Sequence, residues 1–94
     1  MVTRTGFMLR MTALNDQFVG RLFVHSIRFT GTGLTVGELL RLTDINGNLT
    51  TEHFVTSTTE DIEILSSGAD KMLMNGAKVA AMPTGSASLQ IHLV

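Results

Sequence analysis

The sequence has no cysteine, no tryptophan and no tyrosine among its 94 residues. Without cysteine there are no disulfide bonds, no zinc sites built on thiolates and no cysteine nucleophile, which fits a protein that does not depend on an oxidising compartment. The absence of tryptophan and tyrosine argues against a sugar-binding platform of stacked rings. A chain this short builds only a small core, so we expect it to be reinforced as a homo-oligomer.

Charge is also scarce. Seven Lys and Arg residues against eight Asp and Glu residues give a formal net charge of −1, and no block of either sign occurs. We therefore expect no binding to nucleic acid or to anionic lipid. No apolar run approaches the ~18 residues that span a bilayer, and the first residues lack the apolar stretch of a signal peptide. In contrast, 44% of the residues are hydrophobic and 16% charged, which predicts that some apolar surface lies in an interface.

Familiar catalytic motifs are missing. The sequence contains no P-loop, no G-x-S-x-G, no H-E-x-x-H and no dinucleotide-binding fingerprint. We therefore predict no enzymatic activity, no cofactor and no small-molecule substrate. His25, His53 and His92 fall on three predicted strands and would bind a metal only if they converged, so we predict histidines that are solvated or hydrogen-bonded locally.

Two further groups of polar residues allow a functional and a structural interpretation. Asp44, Asn46 and Asn48 alternate like the start of a calcium loop, but the later bidentate glutamate is missing and a hairpin turn explains them all. Residues 60–63 contain three carboxylates. In a strand, Asp61 and Glu63 would share one face and Glu60 the other, so we predict a charged sheet edge and no acid–base pair.

Turn residues recur every six to fifteen positions, and the segments between them are rich in β-branched and apolar residues. This spacing predicts strands. Alternation is clearest near the C-terminus, where Leu89 and Ile91 share one face and Ser88 and Gln90 the other. The predicted strands are Phe7–Leu14, Arg21–Thr30 (central and covered on both faces), Val36–Thr43, Leu49–Val55, Asp61–Leu65, Lys71–Met74, Lys78–Met82 and Ser86–Leu93.

Two local predictions accompany this pattern of strands. Asn46-Gly47 predicts a tight hairpin turn in which both residues have positive φ. Thr58–Asp61 could instead cap a single helical turn.

The fold class predicted from these segments is all-β: one domain over residues 1–94, forming a small antiparallel β-sandwich or barrel of about seven to eight short strands. The body of the fold is expected to begin at Gly20. Residues 1–15 are either the first strand of this domain or an N-terminal arm that adds a strand to a neighbouring molecule.

Four segments resemble small bacteriophage β-proteins: Gly20-Arg-Leu with Ser26-Ile-Arg-Phe-Thr-Gly31, Gly37-Glu with Leu42-Thr-Asp44 and Gly47, Asn75-Gly-Ala-Lys-Val79, and Thr84-Gly-Ser-Ala-Ser-Leu-Gln-Ile-His-Leu93. Together they cover residues 20–93. The resemblance implies a structural protein of the phage virion, assembled in the host cytoplasm. It implies either a decoration (cement) protein seated on the capsid lattice or a small component of the neck or tail.

The partners implied are capsid or other virion proteins. Two segments are the first candidates for the interface, because one is an apolar strip and the other is expected to be a flexible apolar tip. The strip contains Phe7, Met8, Leu9 and Met11, and the tip contains Thr32, Gly33 and Leu34. A β-sandwich that binds a ligand or a receptor remains the alternative function.

Overall fold

A computed structural model describes residues 2–66 and 72–94, and this part of the chain forms eight β-strands and no helix. The strands are β1 (Val2–Thr5), β2 (Met8–Met11), β3 (Gln17–Thr32), β4 (Leu39–Thr43), β5 (Leu49–Phe54), β6 (Thr59–Ser66), β7 (Met72–Ala81) and β8 (Ser86–Leu93). The prediction of an all-β fold is confirmed. No described segment forms a helix able to cross a membrane.

All strand pairings are antiparallel, and the strands follow the order β1-β2-β8-β3-β7-β4-β5, with β6 pairing β3. The 16-residue strand β3 organises the sheet. Its segment 26–32 pairs with β8 and also with β6, so these two strands lie on opposite edges of it, while segment 17–24 pairs with β7. Because β2 pairs with β8, the N-terminal strands belong to this same sheet.

A β-bulge changes the side-chain alternation in the middle of β3. The register against β8 shifts between Val24 and Ser26. Before the shift the buried apolar side chains include Val24, and after it they are Ile27 and Phe29, so the extra residue keeps both sets on the core side. Phe23 is left 49% exposed. The prediction that β3 is covered on both faces is therefore wrong, because the bulge accounts for apolar residues in both phases.

Strand β7 runs straight through Asn75-Gly76, which separates the predicted strands Lys71–Met74 and Lys78–Met82, so these two form one strand. Gly76 is buried with φ +73°, and a Cβ there would lie 2.8 Å from the Phe18 carbonyl oxygen and from Ile45 Cβ. The glycine therefore allows a close approach inside the sheet and does not end the strand. Lys71, the first residue of the predicted strand Lys71–Met74, lies outside the described residues.

The hairpin joining β4 and β5 forms as predicted, but with a longer turn. The Asp44 N–H donates to the Asn48 carbonyl at 2.9 Å, and only Gly47 has positive φ, so the turn is not the two-residue type that was predicted. The helical alternative at Thr58–Asp61 is also wrong, because β6 begins at Thr59.

The core is a single cluster of apolar side chains supplied mainly by the middle strands. Phe29 is its one aromatic member among the described residues. The other large side chains that are fully buried come from β2, β3, β4, β7, β8 and the segment after β5; they are Leu9, Met11, Leu22, Val24, Ile27, Leu40, Leu42, Val55, Val79, Leu89 and Ile91.

Candidate protein-interaction surface

The predicted interface strip Phe7–Met11 turns only part of its apolar surface to solvent. Phe7, in the turn between β1 and β2, is 73% exposed, and Met8 is partly buried. Leu9 and Met11 are fully buried. The reason is strand alternation, since successive side chains of β2 point to opposite faces. Leu9 and Met11 thus belong to the core, which corrects their assignment to an interface.

The second predicted segment also divides between surface and core. Thr32 and Gly33 are exposed, whereas Leu34 is buried. The Leu34 side chain packs against Gly31 so closely that a Cβ at Gly31 would lie 2.8 Å from it, and the Leu34 N–H donates to the Thr58 carbonyl at 2.9 Å. Leu34 is therefore an anchor for this loop, which corrects its assignment as a flexible apolar tip.

Five other apolar residues are exposed and are linked by strand pairing, by backbone hydrogen bonds or by a shared groove. Phe23 and Leu73 are directly opposite each other on β3 and β7 and are both about half exposed. The Val94 N–H donates to the Phe23 carbonyl, and Leu49 lines the same groove of about 250 Å³ as Leu73. The Phe7 carbonyl accepts a hydrogen bond from the residue before Val94. We call these five residues the apolar patch.

The size of the apolar patch can be compared with known interfaces. Its members are 49–73% exposed, and at roughly 150–200 Å² for a large side chain they present on the order of 500 Å² of apolar area. That is near the top of the range of roughly 300–600 Å² for the largest patch on a monomer. It is less than the roughly 800 Å² that each partner buries in a standard interface, so an occupant would also contact the polar residues around it.

The outward face of β2, β8, β3 and β6 has a different character. It carries a groove of about 510 Å³ that is lined mainly by hydroxyl side chains together with Arg10, Glu60 and Asp61. The Arg10 Nε donates to Ser88 Oγ at 2.9 Å, and Arg28 forms an ion pair with Asp61 at 2.6 Å. Side-chain hydrogen bonds and an ion pair thus connect the strands on this face.

The carboxylates of β6 face opposite sides, as the strand pattern predicts. Asp61 and Glu63 are exposed, whereas the Glu60 side chain is only 4% exposed and lies beside His53. Burial alone would raise the pKa of Glu60. Hydrogen bonds from the Thr56 N–H, the Thr56 hydroxyl and the His53 ring outweigh that effect and lower the pKa to about 2. Glu60 is thus an ionised anchor for the β5–β6 connection.

The three histidines do not share one site. His25 and His92 line one shallow groove with Arg28, while His53 packs its ring 5.8 Å from Phe29 and bonds Glu60. Within residues 2–66 and 72–94, no three potential metal ligands of the histidine, cysteine or carboxylate type come together.

The Asp44 carboxylate accepts a hydrogen bond from the Asn48 side chain, which is the largest cause of its lowered pKa. Hydrogen bonds from the backbone N–H groups of Asn46 and Asn48 lower the pKa further.

Sequence reasoning found one member of the apolar patch, Phe7, and missed the rest. The alternation of β3 places Phe23 on the face opposite to Leu22 and Val24, so its exposure could have been predicted. It was missed because both faces of β3 were assigned to the core. Comparison of the chain with protein families, with curated proteins and with solved structures finds no match.

Proposed function

We propose that this chain is a structural protein of a bacteriophage virion, in the first place a decoration protein that docks on the capsid lattice. The observation that carries the proposal is the apolar patch, in which Phe23 and Leu73, fifty positions apart in sequence, are cross-strand partners with half-exposed side chains. Isolated surface leucines need no explanation, whereas neighbouring exposed apolar side chains often mark an interaction site. The resemblance of residues 20–93 to small phage β-proteins supplies the class of partner.

The proposed mechanism is mechanical. A rigid β-domain seated across neighbouring capsid subunits binds only the assembled state, so it stabilises that state by mass action. The paired antiparallel sheet keeps the patch in a fixed shape, which lowers the entropic cost of docking. Copies of the chain that also contact one another would add avidity on a symmetric lattice.

Electron microscopy of assembled particles, combined with binding of the purified chain to particles that lack it, tests this proposal. We expect density for the chain at regular capsid positions. In the binding assay, the double variant Phe23→Ser, Leu73→Ser should reduce occupancy at least about ten-fold, because a loss of 1.4 kcal/mol is already a ten-fold change in affinity. The variant Val36→Ser removes an equally exposed apolar side chain outside the patch and is the matched control.

Each result has a distinct meaning. Density at the neck or tail would assign the chain to that part of the virion and reject the decoration function. Binding that is equal for the double variant and the Val36 control would reject the apolar patch as the docking surface. A chain that is absent from every particle would reject the virion proposal as a whole.

A further inference from the structure

The outward face of the central strands carries rows of hydroxyl side chains that the apolar docking proposal does not use. Cross-strand partners align its side chains in rows: Thr30 lies between Ser88 and Asp61, and Thr32 lies between Ser86 and Thr59. The groove of about 510 Å³ lies over these rows. Its volume falls within the range of roughly 300–1,000 Å³ that is usual for ligand sites.

The groove continues past Arg10 onto the outermost strand. Thr3 and Thr5 of β1 line a second groove of about 250 Å³, and Arg10 lines both grooves. The polar surface therefore crosses five strands, from β1 through β2, β8 and β3 to β6. Four strand spacings of about 4.8 Å each give a length of about 19 Å. We call this surface the hydroxyl face.

Hydrogen bonds hold the centre of the hydroxyl face in place. Ser88 Oγ accepts from Arg10 Nε at 2.9 Å and from Gln90 Nε2 at 2.7 Å. Gln90 Nε2 also donates to Thr30 Oγ1 at 3.0 Å. These contacts fix Arg10 and Ser88 before any ligand arrives, so little side-chain entropy would be lost on binding.

The charges along the hydroxyl face leave Arg10 unbalanced. The guanidinium of Arg28 is paired with Asp61 at 2.6 Å, and Glu60, which also lines the groove, has its carboxylate hydrogen-bonded to His53 and Thr56. Among the described residues, no carboxylate lies within ion-pair distance of Arg10, whose one side-chain hydrogen bond uses Nε. The terminal nitrogens of Arg10 are free of such bonds and can donate to an anionic oxygen in the groove.

We propose that the hydroxyl face binds an extended oligosaccharide that carries a carboxylate, with Arg10 bound to the carboxylate and the exposed hydroxyls of Thr32, Thr59 and Ser86 bound to the sugar hydroxyls. A hydroxyl both donates and accepts, which matches a polyol along its length. An arginine pairs with a carboxylate through two parallel hydrogen bonds. The threonine methyl groups supply the apolar contact that stacked aromatic rings provide elsewhere.

The same features disfavour other large ligands. A nucleic acid needs several cationic contacts to its phosphates, whereas this face offers one unpaired arginine. A folded protein partner would bury an apolar centre, and the apolar side chains of this molecule are grouped elsewhere. This inference is independent of the proposed virion role, since docking uses the apolar patch and sugar binding uses the hydroxyl face.

A panel of immobilised oligosaccharides tests the inference. Each oligosaccharide that carries a uronate or a sialate is paired with a neutral counterpart in which the carboxyl group has been reduced. We expect the full chain to bind at least one acidic member saturably and to bind its reduced counterpart at least about ten-fold more weakly, since charge-assisted hydrogen bonds are the strong ones. The variant Arg10→Gln should abolish that preference. Arg21→Gln removes the same charge outside the groove and should bind like the wild type.

A second variant tests the hydroxyls without changing charge or volume. Thr32→Val keeps the side-chain shape of an exposed groove residue but removes its hydroxyl. It should lower the affinity for acidic and for neutral oligosaccharides alike. Unfolding of each variant is measured alongside, so that lost binding is not mistaken for lost folding. The inference is overturned if no acidic oligosaccharide binds, if Arg10→Gln binds as the wild type does, or if the chain retains only acidic polypeptides such as polyglutamate.

Discussion

Glu60 allows a quantitative test of how the β5–β6 connection is stabilised. Its pKa falls from an ordinary value of 4.5 to about 2 because of the hydrogen bonds from Thr56 and His53. A pKa difference of about 2.5, at about 1.4 kcal/mol for each unit, corresponds to about 3 kcal/mol of stability. Solvent near the surface of so small a domain screens part of it, so we expect about 1–3 kcal/mol in a measurement.

The direction of the pH dependence follows from the lowered pKa. The stabilisation is fully present above pH 4.5, where the carboxylate is ionised in both the folded and the unfolded chain. It is lost as the pH falls from 4.5 through about 2, because the unfolded chain takes up the proton first. The variant Glu60→Gln is neutral at every pH, so it should be less stable than the wild type at pH 7 and should approach it near pH 2.

Urea unfolding at a series of pH values measures this difference. The gap in unfolding free energy between wild type and Glu60→Gln should stay constant from pH 7 to about 5 and then narrow. Glu63→Gln changes an exposed carboxylate on the same strand and should alter stability by no more than about 0.5 kcal/mol. A gap that does not change with pH, or an equal effect at Glu63, would refute the assigned hydrogen-bond network.

Two further predictions concern the fold, and both are read from thermal unfolding. Gly85→Ala should destabilise by about 2–3 kcal/mol, because its φ is +100° and a Cβ would collide with the Gly33 carbonyl. Gly47 has φ +87° and open space around it, so Gly47→Ala should lower the stability by only about 1 kcal/mol. Equal losses of stability at both glycines would contradict the close approach of Gly85 to the Gly33 carbonyl. Phe29→Ala should cost about 3–5 kcal/mol as the largest fully buried side chain, and a loss below about 1 kcal/mol would show that it is not in the core.

The fold class was predictable because the strongest signals are local. The alternation around Leu89 and Ile91 needs no knowledge of the neighbouring strands, and the Asn46-Gly47 hairpin joins strands that are adjacent in sequence. The course of β7 was not predictable in this way. Asn75-Gly76 has the composition of a turn, and only contact with Phe18 and Ile45 shows that the glycine serves close packing within a strand.

Local sequence patterns could not show which residues of β3 face the core. Apolar residues at 22, 24, 27 and 29 fit one buried face only if β3 has one extra residue between positions 24 and 27, and the register against β8 shows where it lies. The apolar patch was out of reach for a related reason. Phe23 and Leu73 are fifty positions apart, and their pairing depends on the order of strands in the sheet. The high share of hydrophobic residues and the low share of charged residues predicted that an interface exists, but they did not indicate which residues form it.

The long strand β3 supplies both proposed surfaces and keeps them apart. Phe23 lies in the segment that pairs with β7, whereas Thr30 and Thr32 lie beyond the bulge in the segment that pairs with β8 and β6. Seven residues of extended chain separate Phe23 from Thr30, which is roughly 20 Å. Substitutions this far apart and without shared contacts act independently. Binding to a particle and binding to a sugar should therefore be lost separately, in Phe23 and Arg10 variants respectively, and loss of both in one variant would indicate damage to β3 itself.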